Sequence, residues 1–103
     1  MSEEQVEDLI ELQSTVFLNM AVCHYMLKEY EQSLKKASES IILKPTIKAY
    51  YRRAQVHAAM TSYKEACVDL VSAIKLDTED PNDFQTELAK FKRLQKKKEE
   101  ENK

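Results

Sequence analysis

The chain has 103 residues, a length that usually forms a single domain. It contains no glycine and only two prolines. Because hairpin turns and phosphate-binding loops rely on glycine, this composition argues against an all-β fold and against a P-loop or dinucleotide-binding motif. The net charge of −2 is too small to predict a nucleic acid or an anionic membrane as a partner.

Capping signals and apolar periodicity predict two helices in the first part of the chain. Ser2 and Gln5 form a capping box. Apolar residues then recur at three- and four-residue steps, so the first helix extends to about Leu27. A second helix is predicted over residues 30 to about 43, because Pro45 prevents a helix from continuing.

The next segment predicts two further helices. Thr46 can cap a helix over residues 47 to about 60. Ser62 and Glu65 form a second capping box, which opens a helix that reaches about Leu76.

A fifth helix is predicted near the end of the chain. Asp80-Pro81-Asn82-Asp83 supplies a cap, a proline at the first helical position and an acid in the first turn. The helix is predicted over residues 81–98, and residues 99–103 are predicted to form a charged tail. Its apolar stripe consists of Phe84, Leu88, Phe91 and Leu94.

Two segments of the sequence are similar at an offset of 33 residues. The matched pairs are Phe17/Tyr50, Ala21/Ala54, His24/His57, Leu27/Met60, Tyr30/Tyr63, Ile41/Ile74 and Leu43/Leu76. Self-similarity at about 34 residues, with two helices per unit, is typical of tetratricopeptide repeats. We therefore predict an all-α tetratricopeptide-repeat solenoid of two helix-turn-helix repeats, over residues 12–45 and 46–78, followed by a C-terminal capping helix.

Small residues recur where the helix pairs of such a fold would cross closely. They are Ala21, Ser33 and Ser40 in the first unit, and Ala54, Ala66 and Ala73 in the second. Cys23 and Cys67 lie in apolar helical stretches, which predicts buried free thiols rather than a disulfide or zinc site. The acidic N-terminus is unlike a targeting peptide, and no apolar run is long enough to span a membrane. These features predict a protein of the cytoplasm or the nucleus.

Two stretches narrow the family further, FLNMAVCHYMLKEYEQSLKKASESII and IKAYYRRAQVHAAMTSYKEACVDL. They resemble the second and third repeats of the co-chaperone domain in FKBP-type immunophilins. They are equally similar to the aryl-hydrocarbon-receptor-interacting protein and its relatives. This resemblance implies a domain that binds the acidic C-terminal peptide of heat-shock protein 90, or the related tail of heat-shock protein 70.

The resemblance also implies a site. In that family a clamp of five side chains holds the terminal carboxylate of the peptide. Asn19 corresponds to its second-repeat asparagine, and Lys48 and Arg52 to its third-repeat cations. The first-repeat members have no counterpart in this sequence, and the link between Pro45 and Lys48 is one residue shorter than usual.

The residues themselves support an anion site. Lys48 and Arg52 are four residues apart, so they share one face of the third helix. Residues 40–64 contain five cations and no acid, and a basic face without acidic neighbours suits a carboxylate ligand. The alternative is that these cations are solvated or pair between repeats. Arg53 points about 100° away from Arg52 and is predicted to pack or to form a salt bridge between repeats.

The alternative function is a structural scaffold, which self-associates or binds a helical partner through its first helix. Val6, Leu9, Ile10 and Val16 form an apolar stripe there with no predicted cover. We therefore expect a homodimer through Leu9 and Ile10. No arrangement of nucleophile and base predicts an enzyme, and no cofactor or metal is implied. His24 and His57 occupy equivalent positions, which favours helix packing over catalysis.

Overall fold

The computed structural model describes residues 1–77 and 84–101. Its described part consists of five α-helices without a β-strand, and the predicted all-α helical-repeat class is confirmed. The helices are α1 (Glu3–Met26), α2 (Tyr30–Leu43), α3 (Ile47–Ala59), α4 (Tyr63–Leu76) and α5 (Phe84–Glu101). Asp80-Pro81-Asn82-Asp83, predicted to cap the fifth helix, lies outside the described residues.

The N-terminal caps follow local hydrogen-bonding rules at α1 and α3. The Gln5 amide donates to Ser2 Oγ over 3.2 Å, and the Ser2 amide donates back to Gln5 Oε1 over 2.9 Å, so this capping box is confirmed. Thr46 has an extended backbone, and its Oγ1 accepts from the Ala49 amide over 3.1 Å. Both side chains satisfy amides that the first turn of a helix leaves unpaired.

The capping box predicted at Ser62 and Glu65 is wrong. Ser62 is the residue before α4, but its side chain makes no capping hydrogen bond. The reason lies in the preceding turn, where the Ser62 amide donates to the His57 carbonyl over 2.8 Å. That bond accompanies a Ser62 backbone with ψ of 67°, far from the extended conformation of a capping residue.

The 33-residue repeat extends to the backbone of the turns. Lys28 after α1 and Thr61 after α3 both have positive φ, 63° and 59°. The residue after each of them donates its amide to a histidine carbonyl, Glu29 to His24 and Ser62 to His57, over 2.8 Å in both cases. The two turns therefore close in the same way, although the chain has no glycine to occupy the left-handed position.

Replacing Thr61 by glycine should stabilise the fold by about 1 kcal/mol. A β-branched residue is strained at positive φ, whereas glycine adopts this conformation without steric cost. Urea unfolding followed by circular dichroism measures the change. The matched variant Lys28→Gly should gain less, because lysine is not β-branched. A loss of stability in Thr61→Gly would contradict the strain that we assign to this turn.

Small polar residues join α1 to α2. The Ser33 hydroxyl donates to the Ala21 carbonyl over 2.6 Å, and the Ser40 hydroxyl donates to the Ser14 carbonyl over 2.8 Å. Residue numbers rise on α1 as they fall on α2, so the two helices are antiparallel. All four residues are buried. The burial predicted for Ala21, Ser33 and Ser40 is confirmed, and the small side chains allow the close backbone approach.

The second helix pair and α5 share one apolar core. Ala54, Ala66 and Ala73 are fully buried there, as predicted. The α5 residues Phe84, Leu88 and Phe91 pack against the same cluster. This helix continues to Glu101, so residues 99–101, predicted as part of the tail, are helical instead. Helix ends assigned from sequence commonly differ by one or two residues from those observed.

An ion pair ties α3 to α4. Arg53 donates from Nε and Nη2 to the two carboxylate oxygens of Asp69, over 2.9 and 2.8 Å. Its Nη1 also donates to Ser38 Oγ on α2 over 3.3 Å, so the guanidinium touches both repeats. The hydrogen bond to Asp69 raises the pKa of Arg53 above its usual value, although partial burial opposes the shift. A salt bridge between repeats was predicted for Arg53, but the observed ion pair joins α3 to α4 within the second predicted repeat, and the contact with the first repeat is the hydrogen bond to Ser38.

The two cysteines are free thiols, but their predicted burial is wrong. Cys23 is exposed and Cys67 is half-buried. Cys23 lies on a face of α1 that no described element covers. Partial burial raises the pKa of the Cys67 thiol above its usual value, although Lys92 acts in the opposite direction.

Candidate functional site

The candidate site centres on Arg52 in α3. This residue is half-buried and lines a small cleft between α1 and α3, beside Val22 and Tyr25 of α1. The cleft has a volume of about 10 Å³, close to the minimum that holds one water molecule. Arg52 Nη1 donates to Gln55 Oε1 over 3.1 Å. Its buried Nε has no hydrogen-bond partner in the described part of the chain.

The basic stretch of residues 40–64 divides into paired and unpaired cations. Lys44 binds Glu11 of α1 over 3.2 Å, and Arg53 binds Asp69. These two fit the alternative that cations of this stretch form internal ion pairs. Lys48 and Arg52 form no ion pair with any residue in ranges 1–77 and 84–101, and Lys48 is exposed. Their charges are therefore free for an external anion.

Asn19 lies on the α1 side of the same junction. It is exposed and occupies the repeat position equivalent to Arg52, 33 residues earlier. It stands one turn before Val22, which lines the cleft with Arg52. Ser38 of α2 contacts Arg53, and Ile41 of α2 shares a cluster with Ala49, so α3 is also antiparallel to α2 and runs in the same direction as α1. Asn19 and Lys48 are therefore both displaced towards the N-terminal ends of their helices.

The structure places the three predicted residues around one junction without joining them directly. Arg52 reaches α1, whereas Asn19 and Lys48 stand one turn away from the cleft. Within the described residues, no hydrogen bond links Asn19, Lys48 or Arg52 to another of the three. Of the three, only Arg52 lines the cleft.

A larger groove continues from the cleft towards α5. It has a volume of about 330 Å³ and is lined by Tyr25, Gln55, Ala58, Ala59, Tyr63, Glu87, Lys90, Phe91 and Leu94. Tyr25 and Gln55 line both spaces, so the cleft and the groove are neighbours. Sequence reasoning missed Gln55, although its position three residues after Arg52 is a usable signal. Nothing local indicates the contribution of α5.

Tyr51, next to Arg52 in the sequence, packs against α5, and its ring lies 5.1 Å from the Phe84 ring. Its hydroxyl accepts a hydrogen bond from Gln55 Nε2 over 3.3 Å. Gln55 also accepts a hydrogen bond from Arg52. Tyr51 therefore holds the Gln55 side chain, and Gln55 in turn orients the Arg52 guanidinium.

Each histidine lies close to one acidic side chain. His24 Nδ1 lies 3.0 Å from Glu29 Oε1, and His57 Nε2 lies 3.6 Å from Asp69 Oδ2. Among residues 1–77 and 84–101, no group of three His, Cys, Asp or Glu side chains could hold a metal ion. The described helices also include none that is long and apolar enough to cross a membrane.

His57 should make the stability of the fold depend on pH. Burial lowers the pKa of His57 below its usual value, although the Asp69 carboxylate acts in the opposite direction. The unfolded chain therefore binds a proton near pH 6.5, whereas the folded chain binds it only at lower pH. The stability that neutral His57 contributes to the fold is fully present above about pH 6.5 and is lost as the pH falls below that value.

The variant His57→Gln should reduce this dependence. Urea unfolding of both proteins between about pH 5 and 7.5 measures the slope of unfolding free energy against pH. The wild-type protein should lose more stability than the variant over this range. Equal slopes would show that His57 does not contribute.

Two relatives were found among characterised proteins. The chain is 36% identical over 90 residues to aryl-hydrocarbon-interacting protein-like 1 of Bos taurus, a match that covers 85% of this chain and 27% of that protein. It is 30% identical over 63 residues to sperm-associated antigen 1 of Homo sapiens, which covers 60% of this chain and 7% of that protein. The chain thus spans less than a third of the length of either relative. No family model matches it.

The name of the bovine relative agrees with the resemblance of the two sequence stretches to the aryl-hydrocarbon-receptor-interacting protein and its relatives. Together with the helical-repeat fold, the two similarities support a role in protein–protein interaction.

Proposed function

We propose that the chain is a tetratricopeptide-type interaction module of a co-chaperone, which binds the acidic C-terminal peptide of heat-shock protein 90 or 70. Asn19, Lys48 and Arg52 would hold the terminal carboxylate as a partial clamp. The observation that supports this proposal is the environment of the Arg52 guanidinium. It is half-buried beside α1, and no acid of the described chain neutralises it. The proposal places the protein in the cytoplasm or nucleus.

The chemistry of the three side chains suits a carboxylate. Arginine offers a planar set of donors that matches two carboxylate oxygens, and lysine adds a compact charge. The amide of Asn19 supplies a neutral donor from the neighbouring helix. The groove beyond Gln55 gives the residues that precede the terminal carboxylate a path along α5. Because the first-repeat contacts of the family clamp are missing, we expect a dissociation constant of about 100 µM or weaker, near −5.5 kcal/mol.

A pair of peptides tests the proposal. The chain should bind a free acidic C-terminal peptide and should bind its C-terminally amidated form at least about tenfold more weakly, because one charge-assisted hydrogen bond contributes about 1.5–3 kcal/mol. Isothermal titration or NMR chemical-shift mapping measures both affinities. Added salt should weaken binding of the free acid, since the site is exposed. If the amidated peptide binds as tightly, the clamp proposal is wrong.

A second candidate function is self-association or binding of a helical partner through α1. Val6, Leu9 and Val16 are exposed, although Ile10, which was expected to share this surface, is half-buried. Exposed apolar faces of this kind commonly mark interaction sites. Sedimentation equilibrium tests this candidate, and a monomer at high protein concentration would exclude the homodimer.

A further inference from the structure

The exposed apolar residues of α1 form one regular line along the helix. We call this line the α1 seam, and it consists of Val6, Leu9, Gln13, Val16, Met20, Cys23 and Leu27. The spacing alternates between three and four residues, which is the pattern of a two-helix interface. Every member is exposed, and only Gln13 has a fully polar side chain. The seam therefore extends over the whole length of α1.

Charged residues do not border the seam. The positions that flank it between residues 5 and 27 are Gln5, Ile10, Leu12, Phe17, Asn19, His24 and Met26. None of them is Asp, Glu, Lys or Arg. Charged flanking residues ordinarily set the direction and partner of paired helices. Their absence leaves a broad uncharged surface, and the direction of pairing must be set by more distant groups.

The same face of α3 is covered by packing. Val16 and Cys23 correspond to Ala49 and Val56 at the 33-residue offset. Those two residues are buried, with exposures of 0% and 1%. The preceding helix pair covers them, and Arg53, the counterpart of Met20, reaches Ser38 of α2. The α1 seam is thus the face that this fold uses to join one helix pair to the next.

Helix α5, at the opposite end of the molecule, excludes head-to-tail stacking of a second copy on the seam. A second copy stacked head to tail would need the outer face of α4, and α5 occupies that face through Phe84, Leu88 and Phe91. A second copy can therefore meet the seam only with its own seam. Such contacts between identical surfaces have two-fold symmetry.

The acidic residues of α1 favour one direction of pairing. Glu3, Glu4, Glu7, Asp8 and Glu11 all lie in its first half. Parallel pairing would bring two of these acidic segments side by side, within a screening length of about 8 Å. Antiparallel pairing places them at opposite ends of the interface, and it also opposes the helix dipoles favourably.

From these observations we infer that two copies of the chain pair through antiparallel α1 helices, with the two-fold axis at Val16. This inference rests on the self-association proposed above and adds its geometry. The seam is nearly symmetric about Val16, so Leu9 meets Cys23 of the second copy and Val6 meets Leu27. Gln13 meets Met20, and Val16 meets Val16.

Cysteine crosslinking tests the geometry. In a Cys23→Ser, Cys67→Ser background, Val16→Cys should form a disulfide-linked dimer under mild oxidation. The protein with only Cys23 should not, because the two Cys23 positions would lie about 20 Å apart at a rise of about 1.5 Å per residue. A disulfide requires Cα atoms within about 7 Å. Val68→Cys, an exposed apolar position on α4, is the matched control and should form no disulfide-linked dimer under oxidation.

The outcomes separate the inference from the proposal on which it rests. Crosslinking through Cys23 would show a parallel dimer, in which Val16→Cys would crosslink as well, and this overturns the inference but keeps self-association. Sedimentation of the unmodified protein as a monomer would overturn both. As a second readout, Val16→Asp should weaken dimerisation at least tenfold, whereas Val68→Asp should leave it unchanged. Equal effects of the two variants would contradict the assigned seam.

Discussion

Replacing Asp69 by alanine is expected to lower the free energy of unfolding by about 3 kcal/mol, the cost typical of removing one partner from a buried ion pair. Asp69 is only 2% exposed and accepts two hydrogen bonds from Arg53. Without this carboxylate, the Arg53 guanidinium stays partly buried and keeps only weaker neutral contacts among the described residues, with the Ser38 hydroxyl and the Tyr50 ring. Urea unfolding at neutral pH measures the loss.

Two further variants give this prediction its control and its counter-test. Glu65→Ala changes an exposed acid on the same helix and should cost about 0.5 kcal/mol, through the helix dipole. The double variant Arg53→Met, Asp69→Leu should cost less than Asp69→Ala, because it removes both charges together. If Asp69→Ala is as mild as Glu65→Ala, the pair does not hold α3 against α4.

Arg52→Ala is expected to abolish measurable binding of the acidic peptide. The loss of a charge-assisted hydrogen bond costs about 1.5–3 kcal/mol, and an affinity that is already weak then falls below detection. Arg52→Lys should retain part of the binding, since it keeps the charge but loses the planar set of donors. Titration of the free-acid peptide measures each variant.

The choice of control follows from the structure. Arg53→Ala should reduce peptide binding less than Arg52→Ala. It is an unsuitable control, because it removes the ion pair with Asp69 and weakens the fold. Arg93 on α5 is exposed and does not line the groove, so Arg93→Ala is the matched arginine control. If Arg93→Ala weakens binding as much as Arg52→Ala, the peptide binds through general charge attraction and the clamp is wrong.

The helices could be predicted because their signals are local. α2 was predicted over residues 30 to about 43 and is observed from Tyr30 to Leu43, since apolar spacing and a following proline both act within a few residues. The capping box at Ser62 failed for a different reason. The turn before α4 fixes the backbone of Ser62, and that turn depends on the His57 carbonyl rather than on the serine.

The exposure of individual side chains and the lining of the groove depend on how the helices pack, which sequence patterns do not contain. Cys23 was predicted to be buried because its neighbours are apolar, yet its side of α1 faces away from α2 and α3. Arg52 was predicted as a site residue from the resemblance and from its spacing to Lys48. Glu87 and Lys90 could not be predicted as groove residues, because α5 reaches the groove only through its packing on α4.

The position of Asn19 couples the two surfaces of α1. It borders the α1 seam and also stands one turn before the cleft that holds Arg52. A second helix on the seam would cover part of its side chain, so pairing of two copies and binding of a peptide tail would compete for the same amide. Each equilibrium must then weaken the other by the same factor. The fraction of paired chains would fall as the concentration of acidic tails rises.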